Sequence, residues 1–423
     1  MAPLVSMYAP APPPPTGLGR YRALSQKASV HVSPIQLGAM SIGDQWSDVG
    51  MGSMDKESSF KLLDAYFDNG GNFIDTANGY QDGSSEQFIG EWAEKRGIRS
   101  QLFIATKYTT NFKQRDPNVK QKVLFVGNNT KSLHMSVETS LENLRTSYID
   151  LLYLHWWDYD TDVEEVMRSL HTLVLQGKVL YLGISDTPAW VVAQANQYAR
   201  DHALTPFVIY QGSWNVMERS FEREIICKVQ DLLTAGPIAY LDTSLDRSLS
   251  LISHNHNHAD TLSDITSKRM ALAPWGVLAG GKFRTDGEEE KRRQTGEQGR
   301  MVFDTTWERN ETEKKVSYAL ETVAGEVGAK HITSVAIAYL LHKATYVFPI
   351  IGGRKPEHLL ANLEALEISL TKDQIKYLES VVPFDAGFPS SMIGNGEEYN
   401  FLIASGANLV KQPIPQPITP KAN

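Results

Sequence analysis

Cysteine is almost absent from the 423 residues. Cys227 stands alone, which excludes a disulfide within the chain and any zinc site built on several thiolates. Basic charge is also short. Lys and Arg number 41 against 49 Asp and Glu, a formal net charge of -8, and no basic stripe is present to neutralise a phosphate backbone. Nucleic acid is therefore not an expected partner. Long apolar runs are missing too. The best candidate, VAIAYLLHKATYVFPII, is interrupted by His342 and Lys343 and reads as a buried helix followed by a buried strand. The opening MAPLVSMYAPAPPPPTG lacks the basic region and apolar core of a secretory signal, and the final KAN matches no retrieval or lipidation signal. The expectation is a cytoplasmic protein that does not engage a membrane. No repeat recurs at a fixed period, and no G-x-G-x-x-G follows a strand-like run. The pairs Gly70-Gly71, Gly280-Gly281 and Gly352-Gly353 have other spacing.

What is there is an ordinary globular composition, 42% hydrophobic and 21% charged, long enough for one large domain or two to three small ones. Residues 9–15 (APAPPPP) are polyproline-like, and 411–423 carry four prolines, so both ends read as tails. Between them lie eight strand-like runs at 34–38, 72–75, 102–107, 150–155, 179–185, 207–211, 271–275 and 346–352. Most are continuously apolar, as in parallel strands buried on both faces. Amphipathic stretches separate them. Residues 54–70 end on Asn69-Gly70, a helix stop. Residues 84–97 open on Ser84 or Ser85 followed by Glu86 and Gln87, a capping-box pattern, and end on Gly97; 134–147 and 162–178 repeat the alternation. The pattern predicts a single-domain (β/α)8 TIM barrel. The rival, an open doubly wound sheet, would usually carry the glycine-rich turn that is missing.

A barrel places its active site at the C-terminal ends of the strands. Read there, the second run ends in Asp75 with Tyr80 close behind, the third in Lys107 and the fourth in His155. The fifth ends in Ser185-Asp186 and the sixth in Gln211. Singly, each is more often a surface charge or a satisfied structural residue. Together, Asp, Tyr, Lys and His form a proton-transfer device. A Lys ammonium stabilises a tyrosinate and lowers its pKa, a buried Asp keeps the Lys charged, and a His can hydrogen-bond a carbonyl oxygen. Carbonyl reduction needs such a donor for the developing alkoxide.

With those residues in place, GNFIDTANGYQDGSSEQFIGEW, LFIATK and LLYLHWWD resemble the aldo-keto reductase superfamily, over roughly residues 18–400. PTGLGRYRALS, QLGAMSIGDQW, GISDTPAWVV, YQGSWNV and FEREII are similar to its fungal aryl-alcohol dehydrogenase and norsolorinic acid reductase-like branch, often found in secondary-metabolite pathways. The resemblance implies an NADP(H)-dependent reductase of aryl or polyketide- or meroterpenoid-like aldehydes and ketones, or the reverse oxidation. Tyr80 would be the proton donor, Lys107 and Asp75 would tune its pKa, and His155 would orient the carbonyl. It also implies an extended cofactor across the mouth. Asp75 borders it, Ser185, Asp186 and Gln211 meet the carboxamide, and Trp214 stacks on the nicotinamide. Leu278, Ala279, Gly280 and Lys282 close over the pyrophosphate, with Lys282 as a phosphate contact. Gly352 and Gly353 let the backbone approach, Arg354 and Lys355 pair with a 2′-phosphate, and His358 and Asn362 face the adenine. Asp186 departs from the Asn common in the wider superfamily, and a carboxylate accepts but does not donate unless protonated. Trp46, Trp156, Trp157 and Trp214 could line an apolar pocket, with Trp46, Trp156 and His155 meeting the substrate; core packing explains such aromatics equally well. The alternatives are a cofactor-binding regulatory subunit and a catalytically impaired pathway remnant.

The expected organisation is a Pro-rich tail over 1–17, a barrel over 18–405 with an insertion at 228–269, and a second tail over 406–423. The insertion separates the sixth and seventh runs by roughly 35 residues more than such a connection needs. It reads either as a substrate lid or as translated intron sequence. His254, His256 and His258 alternate within it, but no further ligand cluster supports them and no metal is expected.

Overall fold

A computed structural model gives the architecture. The structure describes residues 9–48, 50–231, 270–296 and 306–387, with short pieces at 391, 404–407, 409–410 and 416–420. The insertion, including its three histidines, lies outside the described residues apart from its first four positions.

Eight parallel strands form the frame: β3 (Gln36–Gly38), β4 (Phe73–Asp75), β5 (Phe103–Tyr108), β6 (Ile149–Leu154), β7 (Val179–Ser185), β8 (Phe207–Ser213), β9 (Ala271–Trp275) and β10 (Ile350–Gly352). Each pairs with its sequence neighbour, and β10 returns to β3. The ring closes through Leu272, whose N–H donates to Tyr346 O at 2.9 Å and whose carbonyl accepts from Phe348 N at 2.8 Å. This is the expected (β/α)8 barrel. All six residues of β5 and all six of β6 are buried, which is why their sequences lack polar alternation.

Side chains pointing into the barrel make their own core. Phe73, Phe103, Leu151, Tyr153, Ile209 and Phe348 fill it, with the Phe73 and Phe103 rings packed edge to face at 5.0 Å. A two-stranded hairpin that the sequence reading did not anticipate, β1 (Arg22–Ser25) with β2 (Ala28–Val32), adds Leu24, Ala28 and Val32 to this cluster and seals the N-terminal end of the barrel. The chain is docked before this hairpin. Thr16 Oγ1 donates to Asn69 O at 2.8 Å and caps the turn at Gly17–Gly19, so the boundary expected at residue 17 falls within a packed turn.

The helices cover the outer face. They are α1 (Lys56–Asp68), α2 (Ser84–Arg96), α3 (Thr130–Asn143), α4 (Val163–Leu175), α5 (Ala189–Asp201) and α6 (Phe221–Asp231), then α7 (Asp286–Thr295), α8 (Glu311–Val327), α9 (Ile332–Lys343), α10 (Pro356–Asn362) and α11 (Lys372–Ser380). α1 starts where Asp55 accepts from Ser58 N, and α3 and α4 start likewise on Asn129 and Asp162. The capping box expected at α2 does not form. Its N-cap is Gly83 at φ 96°, with no side-chain cap bond. Ser85 instead donates to Ala39 O at 2.9 Å and meets Thr76 Oγ1 at 2.9 Å. Glu86 accepts from Thr106 Oγ1 at 2.6 Å. These side chains tie α2 to the barrel, and the tight turn that presents Tyr80 leads into the helix in their place.

Candidate active site

The parallel register sets strand ends side by side: Gly38 beside Asp75, Asp75 beside Ala105, Lys107 beside Tyr153, Ser185 beside Gln211. Asp75 and Lys107 therefore meet within one mouth. Lys107 Nζ donates to Asp75 Oδ2 at 2.7 Å and to Thr76 O at 2.8 Å. The other carboxylate oxygen accepts from Gln211 Nε2 at 2.9 Å. Lys107 is 0% exposed and Asp75 3%, so the ammonium depends on these partners. Lys107 Nζ lies 5.0 Å from the Tyr80 ring centroid, and the Tyr80 and His155 rings sit edge to face at 6.1 Å. Trp46 packs on the other side of Tyr80 at 6.3 Å.

The turn after Tyr80 is strained. Gln81 at φ 52° and Asp82 at φ 51° are both left-handed and neither is glycine. Contacts hold it there. Gln81 Nε2 donates to Met40 O and Gly52 O at 2.9 and 2.8 Å, and its Oε1 accepts from Trp46 N at 2.9 Å. Asp82 accepts from Trp46 Nε1 at 3.2 Å and faces Arg115, which also pairs with Asp48 at 2.8 Å. The loop carrying Trp46 is thus fixed against Tyr80.

The electrostatics separate the roles. Burial alone lowers the Lys107 pKa, but the Asp75 carboxylate and Tyr80 outweigh it, and the group is held above its ordinary value as an ammonium. Burial raises the Tyr80 pKa above 10.0, with Lys107 opposing and Asp75 reinforcing. The net direction is opposite to the lowering expected from Lys107, because desolvation of the phenolate is the larger effect. Tyr80 is accordingly a phenol carrying its proton. Burial, then Lys107, pushes His155 down to about 3, so its ring is neutral.

The remaining expected residues divide. Ser185 and Asp186 stand at the end of β7, where Asp186 N donates to Gln211 O at 3.0 Å. Leu278, Ala279 and Gly280 form the turn after β9, with Ala279 at φ 48° and Gly280 at φ 64°. A side chain added at Gly280, Gly281 or Gly353 would meet nothing within 4 Å, which leaves an open shelf beside the mouth. Gly352, Arg354, Lys355 and His358 are exposed around β10 and α10. Asn362 is buried and accepts from Thr333 Oγ1 at 2.8 Å. Lys282 is not a free cation. It is 5% exposed and its Nζ donates to Thr306 O at 3.2 Å and Glu308 O at 2.8 Å, tying down the strap before α8.

Trp214 is a correction. It is 0% exposed, stacks on Phe221 at 5.4 Å and donates through Nε1 to Glu222 at 3.1 Å, beneath the mouth rather than in it. The indole at the mouth is Trp275, the last residue of β9, whose Nε1 lies 3.2 Å from both oxygens of Asp186. Applying the strand-end rule to ALAPW, as to the earlier runs, would have found it. Trp156 donates through Nε1 to Thr110 Oγ1 at 3.0 Å, and Trp157 packs against the outer core. Among the described residues no His, Cys, Asp or Glu group could hold a metal, and no helix is long and apolar enough to cross a membrane.

The profile of the Aldo/keto reductase family matches residues 34–241 and 247–383. The chain belongs to this family. The reductase is 54% identical over 421 residues to an aryl-alcohol dehydrogenase [NADP(+)] of Phanerodontia chrysosporium, covering 99% of this chain and 100% of that one. It is 46% identical over 391 residues to the aldo-keto reductase ausK of Emericella nidulans, at 92% and 88% coverage. It is 44% identical over 383 residues to a norsolorinic acid reductase of Aspergillus flavus, at 90% and 86%.

In this reductase Asp186 carries a titration of its own. Asp186 is exposed, but desolvation by the surrounding strand ends raises its carboxyl to about 6, against the opposing hydrogen bonds from Trp275 and Ser185. A raised Asp pKa means the folded chain binds the proton more tightly than the unfolded chain. The resulting stability is greatest below the ordinary value of 3.8 and is lost as pH rises to about 6. Asp186→Asn removes that loss. Because Asp186 is exposed at the mouth, solvent screens most of this effect, and the expected gain in Tm is under about 1 °C at neutral pH and smaller still in mildly acidic buffer, read by thermal unfolding at both.

Proposed function

We propose that this reductase uses NADPH to reduce aryl or polyketide- or meroterpenoid-like aldehydes and ketones to alcohols, or runs the reverse oxidation, within fungal secondary metabolism. The observation that carries the reading is the buried Lys107–Asp75 pair beneath Tyr80, with the neutral His155 ring facing the same phenol. The similarity to an aryl-alcohol dehydrogenase and a norsolorinic acid reductase supports an aromatic substrate.

The residues present fit the cofactor. Ser185, Asp186 and Gln211 offer donors and acceptors on adjacent strand ends, as an amide requires. The shelf at Gly280, Gly281 and Gly353 leaves room for the backbone to approach phosphates, and Arg354 and Lys355 add exposed cations for a 2′-phosphate. NADPH held by these residues would supply the hydride that the carbonyl carbon needs. Tyr80 donates its proton to the carbonyl oxygen. Lys107 steadies the phenolate left behind, and Asp75 holds Lys107 charged and in place. His155 holds the oxygen within reach of Tyr80. Trp46 and Trp156 offer apolar walls for an aromatic substrate, and Trp275 is the indole available to the nicotinamide.

The test is NADPH consumption by the purified full chain against a panel of aryl aldehydes and quinonoid ketones. Turnover with a subset of aromatic carbonyls is expected. NADPH binding without turnover on any of them would overturn the proposal and favour a cofactor-binding regulatory role.

A further inference from the structure

We propose that the Thr110 hydroxyl fixes the tautomer of His155, so that the imidazole presents Nε2–H to the barrel mouth. The argument begins with strain. Thr109 lies at φ 104°, a conformation that a β-branched side chain rarely adopts. The kink directly follows β5 and sends two successive hydroxyls toward the end of β6. Thr109 Oγ1 accepts from Asn128 Nδ2 at 2.9 Å and from His155 N at 3.3 Å. Thr110 Oγ1 accepts from Trp156 Nε1 at 3.0 Å and lies 3.3 Å from His155 Nδ1. Asn128 locks the arrangement. Its Nδ2 also donates to Trp156 O at 3.0 Å, and its backbone and side chain exchange hydrogen bonds with Asp158 at 2.7 and 3.0 Å.

Proton counting then assigns the ring. An indole N–H only donates, so the Thr110 oxygen is the acceptor in that contact. A second lone pair on that oxygen could accept from Nδ1–H, but the hydroxyl proton would then have no acceptor among the described residues, whereas donation to the Nδ1 lone pair pairs both groups. A neutral imidazole with Nδ1 accepting carries its hydrogen on Nε2. The ring is neutral because burial, followed by Lys107, pushes its pKa to about 3. Thr110 is therefore a positioning residue. It acts through His155, and its catalytic consequence rests on the carbonyl-reductase reading above.

The test is nitrogen NMR of the full chain labelled at histidine, together with kinetics. In the unsubstituted protein, the His155 Nδ1 signal is expected to be that of an unprotonated ring nitrogen and Nε2 that of a protonated one. Thr110→Val, which keeps shape and removes the hydroxyl, is expected to mix the tautomers and lower kcat about 10- to 100-fold at unchanged NADPH affinity. Thr110→Ser restores both readouts. If the valine variant does not fold, Trp156→Phe replaces it. Without the indole N–H to fix its orientation, the Thr110 hydroxyl can rotate to accept from Nδ1–H, and a partial shift toward that tautomer is expected. A proton on Nδ1 in the unsubstituted protein, or ring signals that ignore these substitutions, overturns the inference. The tautomer is read without turnover. The expected signals in a chain that reduces no carbonyl would sink the proposed function and leave the Thr110 assignment standing.

Discussion

Tyr80→Phe lowers kcat for carbonyl reduction by about 10²- to 10⁴-fold, the usual worth of a positioned general acid. NADPH affinity changes little, because the substitution removes one hydroxyl and leaves Asp75, Lys107 and Gln211 bonded to one another. Two features support Tyr80 as the proton donor of the proposed reduction. Lys107 and His155 are the other candidates near the reacting oxygen. Lys107 already donates to Asp75 and Thr76, and His155 is neutral at any working pH. Tyr80 keeps its proton because burial outweighs the pull of Lys107 and holds its pKa above 10.0. The pH profile follows with a definite sign. The reductive rate is insensitive to tyrosine ionisation through neutrality and falls on that account only above the ordinary tyrosine value. Steady-state kinetics with the strongest substrate of the panel, and NADPH titration of both proteins, check the two halves separately. An unchanged kcat in the phenylalanine variant would remove Tyr80 from the reaction.

The barrel was legible because its strands are buried on both faces. Runs such as FIATKY and IDLLYL cannot alternate, and their continuous apolarity marks them even without neighbours for comparison. Even the three-residue strands β3, β4 and β10 lie inside longer apolar runs. The β1–β2 hairpin escaped because ASVHV alternates weakly and its role, sealing the barrel floor with Leu24 and Val32, is a tertiary one. The site was legible wherever strand ends alone decide it, as at Asp75, Lys107 and His155. Trp214 was misplaced because it sits only three residues beyond Gln211, yet the chain turns there. Trp214 N donates to Trp275 O at 3.2 Å, and the following Asn215 turn carries the indole down onto Phe221. Likewise nothing in SSEQ distinguishes a helix cap from serines that brace a barrel. That depends on what Ala39 O and Thr76 offer across the fold.

Asp75→Asn destabilises the protein by about 3–5 kcal/mol, the cost of leaving a buried charge without its counter-ion. Lys107 is 0% exposed and its ammonium retains only neutral partners such as Thr76 O once the carboxylate is gone. Gln211 Nε2 faces the oxygen that Asp75 now offers it, so an asparagine must also choose which of its two ends to present. Denaturant unfolding of the substituted chain reads the loss. Replacing both partners separates fold from chemistry. In Asp75→Leu with Lys107→Met the buried charge is absent rather than orphaned, and most of the lost stability is expected to return. Activity is not expected to return, since Tyr80 then has no cation to steady the phenolate formed when its proton leaves. Recovery of stability without turnover would mean that the ion pair is kept for the proton it controls. Recovery of both would detach the pair from catalysis, and recovery of neither would show that the barrel mouth itself depends on the charges.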